Sequence, residues 1–229
     1  MAQIILVHGA YQGGWIWQPV ARILRRRGHD VFTPTLDGCA ERAHQLRSGI
    51  TTETHADEVA ELMFYQDITD AIMVGTSSGG MVMARAAEQA RERVQRLVFA
   101  DALALLDGER IGDIVQRRTP IDTPLASGPP RSDVTGRLFA DLEEPVRSWA
   151  IARYTLHPRA CMNQPVELKR FWSQSWDAAV IWCTDSVNPP ESHQRRTARM
   201  LGARWHELDT GHYPMLTRPE DLADLIAGF

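Results

Sequence analysis

Lysine is almost missing from this chain. Of 25 basic residues among 229, Lys169 alone is lysine and the rest are arginine. The basic residues are outnumbered by 29 acidic ones, for a net charge of −4. That balance excludes the broad basic surface that nucleic acid or an anionic membrane requires. The arginines are scattered, so the bias reads as compositional rather than as a phosphate site. Cysteine is scarce and odd in number. Cys39, Cys161 and Cys183 have no C-x-x-C spacing, which excludes both a disulfide framework and a zinc ribbon. No apolar run approaches the roughly 18 residues that span a bilayer. The opening Met-Ala-Gln precedes only Ile4 to Val7, too short for a signal peptide, and the cytoplasm is the expected compartment. Internal repeats and low-complexity tracts are lacking too, with 16 glycines and 13 prolines near the usual share. What remains is a globular chain, 44% hydrophobic and 24% charged, sized for one domain over residues 1–229.

Short apolar runs alternate with amphipathic stretches, the pattern of a parallel sheet wrapped by helices. The runs predict strands at Gln3–Val7, Asp30–Pro34, Ala71–Gly75, Gln95–Ala100, Ala178–Cys183 and Arg204–Leu208. Helices are predicted over Gln18–Arg27, stopped by Gly28, then over His55–Phe64 and onward from Gly79 and Gly80. Two more cover Glu191–Leu201 and Pro219–Ile226. Between Leu103 and Asp177 the alternation breaks and prolines cluster. Thr119–Arg131 reads as a loop, and Leu138–Tyr154 and Val166–Trp176 read as helices. So long an excursion between strands suggests a helical cap over a site.

Three places carry chemistry. In Gly75-Thr76-Ser77-Ser78-Gly79 an apolar strand runs through G-x-S-x-G straight into a helix. A serine on so sharp a turn needs neighbours without Cβ two residues either side, which makes Ser77 rather than Ser78 the nucleophile. The helix start beneath it favours developing negative charge. The second place is Leu6-Val7-His8-Gly9-Ala10, a strand ending in a turn. Acyl transfer needs two amides for the oxyanion, and Ala10 and Ser78 are the candidates. A dinucleotide turn at Gly9, Gly13 and Gly14 fails on spacing, because Tyr11 stands where the second glycine belongs. The third place is Asp209-Thr210-Gly211-His212, where His212 after the last strand is the candidate base. His8 reads as a shaper of its turn, and His157 as a candidate pocket residue. No metal site is expected, since His206-Glu207 lacks a second histidine at helical spacing.

At these places the chain resembles the α/β-hydrolase superfamily. It is most similar to the small-cap branch of plant hydroxynitrile lyases, plant methylesterases and bacterial esterases. The resemblance also rests on Gly14-Trp15, Trp17, Gly28-His29-Asp30-Val31, Thr33-Pro34-Thr35-Leu36, Met215-Leu216 and Pro219. It implies an α/β-hydrolase fold: a mainly parallel sheet with helices on both faces, an inserted cap near residues 103–177, and no metal or organic cofactor. It also implies the order Ser, acid, His, which points to the loop after Ala178–Cys183. Asp185 is the carboxylate nearest that strand end, although relatives often carry the acid one residue later, where Ser186 stands. Asp101, past Gln95–Ala100, is a second candidate, and Glu191 or a bare Ser–His dyad are the others. Among the cap and loop aromatics, Tyr11, Trp149, Tyr154 and Trp172 are the candidate substrate contacts, with Phe171 and Trp176 beside them. The expected activity is serine hydrolysis of a small apolar or aromatic ester or lactone. A cofactor-free lyase or dioxygenase using His212 as base is a competing reading, since Gly-Thr-Ser resembles the opening of such dioxygenases. A non-catalytic small-ligand receptor is another. The expected partner is a small molecule, without nucleic acid or membrane, and homodimerisation is left open.

Overall fold

The six apolar runs pair into one sheet. The computed structural model describes residues 1–115 and 121–228. Its main strands are β1 (Gln3–Val7), β2 (Asp30–Phe32), β3 (Ala71–Ser77), β4 (Val94–Ala102), β8 (Asp177–Cys183) and β9 (Arg204–Leu208). Three short strands lie between β4 and β8: β5 (Ile121–Asp122), β6 (Ala126–Gly128) and β7 (His157–Pro158). The main order is β2-β1-β3-β4-β8-β9, and every pairing is parallel. The strands read as unbroken apolar runs because both faces are covered. Ile5, Val7, Met73, Leu97, Phe99 and Val180 enter one core. Ile4, Leu6, Ile72, Val74, Val98 and Ile181 enter the other.

Helices close both faces. On the face of Ile4 and Leu6 lie α1 (Gln18–Arg26) and the C-terminal helix Pro219–Ala227, contributing Val20, Leu24, Leu222 and Ile226. Opposite lie α2 (Thr52–Tyr65) and α3 (Gly79–Gln89), contributing Val59, Met63, Met81 and Ala84. α1 stops where Gly28 takes a φ of +85°, and α2 starts from a reciprocal cap between Thr51 and Thr54. Among the described residues, no helix is long and apolar enough to cross a membrane.

The excursion between β4 and β8 is less helical than its sequence suggests. The predicted helix at Leu138–Tyr154 begins only at Val146 and ends at Arg153. Pro145 disfavours helical backbone in the residue before it, so the helix starts after it. The predicted helix at Val166–Trp176 is reduced to one turn, Phe171–Ser173. Its amides find tertiary acceptors instead: Asp107 accepts from Leu168 N–H, and Glu88 accepts from Arg170 and Phe171 N–H. In the predicted loop Thr119–Arg131, residues 119 and 120 lie outside the described residues. The remainder contains a hairpin, because Thr123 Oγ1 both accepts from Ala126 N–H and donates to its carbonyl. The hairpin extends to β7, giving the antiparallel order β5-β6-β7.

Four histidines are buried: His8, His55, His157 and His193. Burial lowers all four, His8 and His193 from 6.5 to about 4. At His8 and His193 the unfolded chain therefore takes up protons below pH 6.5 that the folded chain refuses down to about pH 4. Stability from these groups is fully present above pH 6.5 and lost across that window. For His8 alone the loss amounts to about 3 kcal/mol. Melting temperature should fall from pH 6.5 to about 5.5, above the range in which ordinary carboxylates titrate. A melting temperature flat over that interval would contradict buried neutral imidazoles.

Candidate active site

Ser77 ends β3 with a φ of +51°, a strained value for a residue with a Cβ. Its glycine neighbours are there for space. A Cβ on Gly75 would lie 2.8 Å from Gly80 Cα, and one on Gly79 2.5 Å from the His8 carbonyl oxygen. Both neighbours are backbone and cannot yield. The turn after β1 passes directly over the serine, since a Cβ on Gly9 would lie 2.6 Å from Ser77 Cβ and 3.3 Å from its Oγ. Ala10 follows Gly9 directly, and Ser78 follows Ser77 directly as the N-cap of α3. Both amides expected at an oxyanion thus belong to residues next to that contact. His8 fixes the turn: its Nδ1–H donates to the Gly9 carbonyl at 2.8 Å, and its Nε2 accepts from Leu36 N–H at 3.0 Å. Gln12 Oε1 accepts from Gly9 N–H at 3.2 Å.

His212 stands in the loop after β9, partly buried, with Nδ1 2.5 Å from Asp101 Oδ2. The carboxylate that holds it is Asp101, not Asp185. β3 and β4 slip register at Ser77, which pairs with Ala102 while Thr76 pairs with Ala100. Asp101 is the extra residue of that bulge, at φ +48° and fully buried. Such a bulge re-aims a side chain, and aspartate is among the few residues that tolerate the left-handed region. Asp185 lies where the chain turns back on itself, with Ser186 N–H donating to the Cys183 carbonyl at 3.0 Å. That turn leaves Asp185 exposed and aims Ser186 at Asp101 Oδ2, 2.5 Å away. Asp185 instead lines a cleft of 270 Å³ with Leu138, Asp141, Val187, His212 and Tyr213. Glu191 is engaged by Arg195 at 2.5 Å. The proline-rich loop after β8 hides this from a sequence reading, because only the bulge shows which strand end supplies the acid.

The aromatic candidates divide. Tyr11, Tyr154 and His157 form a row, with ring centroids 5.8 Å and 6.2 Å from Tyr11. Gly128 packs on it, since a Cβ there would lie 2.9 Å from Tyr11 and 2.8 Å from the Tyr154 hydroxyl. That hydroxyl donates to the Pro129 carbonyl at 2.6 Å, and burial raises its pKa. Trp149 packs edge-on against Trp15, centroids 5.1 Å apart, with the Arg153 guanidinium 4.4 Å from its ring. Trp172 is committed elsewhere: its indole N–H donates to the Leu105 carbonyl, and its ring packs against Phe171, which stacks on Trp176.

A buried cluster beside this row had no signal in the residue spacing. His55, His157 and Cys161 offer ligand atoms within 4.8 Å of one another. Each already has a protein partner. His55 Nε2–H donates to the Asp37 carbonyl at 2.9 Å, and its Nδ1 lies 3.6 Å from Cys161 Sγ. His157 Nδ1 lies 3.4 Å from Cys39 Sγ. Burial raises the Cys161 thiol to about 12, so the group stays neutral and ties the excursion to the body. All three cysteines are free.

Comparison with known proteins agrees with this architecture. The carbendazim hydrolyzing esterase of Nocardioides sp. (strain SG-4G) is 37% identical over 120 residues, 52% of this chain and only 50% of that protein. Salicylic acid-binding protein 2 of Nicotiana tabacum is 25% identical over 242 residues, 95% of this chain and 93% of that one. Among solved structures, an extracellular α/β-hydrolase from a Paenibacillus species superposes with a TM-score of 0.85 at 22% identity, covering 100% of this chain and 98% of that one. The family described as the alpha/beta hydrolase family matches residues 4–225. This chain therefore belongs to the α/β hydrolase family.

Proposed function

We propose that the chain is a serine carboxylic ester hydrolase working through an acyl-enzyme on Ser77. One observation carries this reading: a fully buried Asp101 bonded to His212 and a strained strand-end serine under the Gly9 turn come from the ends of the paired central strands β3 and β4. Asp101 accepts from Nδ1–H, which leaves His212 Nε2 as the base for the Ser77 proton. Ser77 Oγ attacks the ester carbonyl carbon, and the carbonyl oxygen becomes an oxyanion held by the Ala10 and Ser78 amides. His212 then returns the proton to the departing alcohol as the acyl–oxygen bond breaks. Water, deprotonated by His212, attacks the acyl-enzyme and releases the acid, restoring the serine. Curated relatives named as esterases support the reaction class. The three free, buried cysteines accord with a reducing cytoplasm.

The excursion would act as the cap, with the row of Tyr11, Tyr154 and His157 as the apolar wall that favours a small apolar or aromatic acyl group. Each further buried methylene should then gain about 0.8 kcal/mol, roughly fourfold in kcat/KM, until the space is full. Two measurements test the proposal. A fluorophosphonate should add its mass to the wild-type chain at Ser77, and a 4-nitrophenyl ester panel should rise with acyl length and then fall. Tyr154→Ala should move the optimum to longer acyl groups. No adduct at Ser77 would refute the acyl-enzyme in favour of a lyase or receptor, and a flat panel unchanged by Tyr154→Ala would remove this wall from the site.

A further inference from the structure

We propose that Ser186 and Gln194 are positioning residues for the acid, and that the carboxylate is exchangeable between positions 101 and 186. The inference rests on the reading of Ser77, His212 and Asp101 as one catalytic unit. Asp101 is fully buried, where an unpaired carboxylate would be costly. Both its oxygens are occupied. Oδ2 accepts from His212 Nδ1–H and from the Ser186 hydroxyl, each at 2.5 Å, and Oδ1 accepts from Gln194 Nε2 at 2.6 Å. Charge-assisted bonds of this kind are strong enough to fix a carboxylate's rotamer, and with it the imidazole plane.

The two donors come from elements anchored independently of Asp101. The Ser186 loop is tied to the His212 loop, where Thr184 N–H donates to the Leu208 carbonyl at 3.0 Å and Asp185 N–H to that of Thr210 at 3.1 Å. Gln194 lies on the helix Glu191–Leu201, 1% exposed, and its Nε2 also donates to the Pro189 carbonyl at 3.2 Å. Among the described residues its Oε1 has no partner. Flipping the amide would aim that oxygen at the carboxylate, so the observed orientation serves Asp101 at the expense of Oε1. A bulge, an acid and two clamping donors thus come from three elements and meet at one oxygen pair.

Ser186 is placed to trade side chains with the acid. Its hydroxyl oxygen and Asp101 Oδ2 are one hydrogen bond apart. Exchanging the two side chains would keep the same set of groups, a carboxylate accepting from His212 Nδ1–H and from a serine hydroxyl, with the strand of origin reversed.

The test compares kcat and KM for 4-nitrophenyl acetate across Ser186→Ala, Ser186→Thr, Gln194→Met, Asp101→Ser and the exchange D101S/S186D. Ser186→Ala and Gln194→Met should each lower kcat about tenfold with KM nearly unchanged, the size expected for losing a bond to a charged group. Ser186→Thr should restore most of the loss, which a packing defect would not allow. Asp101→Ser should lose about 10³-fold or more, and the exchange should recover at least about tenfold of that. The far-downfield proton resonance of His212 Nδ1–H should vanish in Asp101→Ser and return in the exchange. If Asp101→Ser is crippled but Ser186→Ala and Gln194→Met match wild type and the exchange recovers nothing, the positioning role is wrong while the catalytic unit stands. If Asp101→Ser keeps wild-type kcat, the acid itself is misassigned and both fall. Should the exchange variant not fold, the Ala and Thr pair at 186 decides alone.

Discussion

Ser77→Ala is expected to lower ester turnover by about 10⁴-fold or more while the melting temperature stays near wild type. The substitution removes one hydroxyl and leaves the backbone to adopt the same φ of +51°. Ser77 also carries a structural bond, but through its carbonyl, which accepts from Leu103 N–H at 2.8 Å, and alanine keeps it. Ser78→Ala should cost less than about threefold, because Ser78 is proposed to act through its amide. Steady-state kinetics with one ester on both variants reads the difference. A reversed ranking would mean that the elbow register is wrong. Equal, small losses would mean that Ser77 is not a nucleophile.

The second large effect is expected at the acid. Asp101→Asn should reduce kcat by about 10⁴-fold, the size known for an orienting carboxylate in a serine protease. An amide can present its N–H to His212 Nδ1 and so impose the wrong tautomer, with Nε2 protonated and no longer a base. Asp185→Asn should stay within about threefold, because the exposed side chain loses only a screened charge near His212. The paired variants make an internal control, since each changes one carboxylate to the same amide. A large loss in Asp185→Asn and none in Asp101→Asn would transfer the acid to the loop after β8.

Much of this site is legible in the residues. G-x-S-x-G names Ser77 because the tight turn is marked within five residues, and the Gly75–Gly80 clash that enforces it is local, although Gly79 makes room for the distant end of β1. The helix Glu191–Leu201 and the strand Arg204–Leu208 follow from periodicity within about ten residues. The acid is different. Nothing in Phe99-Ala100-Asp101-Ala102 announces a bulge, so the residues leave Asp101 a second candidate behind Asp185. The loop after β8 offers a carboxylate at nearly the right place, yet the turn that exposes Asp185 is closed by a bond to Cys183 within the loop itself. The excursion misleads in another way. Val166–Trp176 has helix-compatible residues, but the carboxylates of Asp107 and Glu88 take its amides, and both are remote in sequence.

Sterics and burial patterns within a few residues are enough to set the six strands of the parallel sheet and the serine at the end of β3. Which carboxylate bonds to His212, which aromatics form the row around Tyr11, and how the buried histidines meet thiols depend on tertiary contacts. Those contacts join residues far apart in the chain: 111 positions between Asp101 and His212, 85 between Asp101 and Ser186, and 118 between Cys39 and His157. A hydrogen bond is satisfied within about 3 Å, and a shift of one residue in a strand turns its side chain to the other face. At that range a single bulge is enough to bring Asp101 to His212, and no local pattern records it.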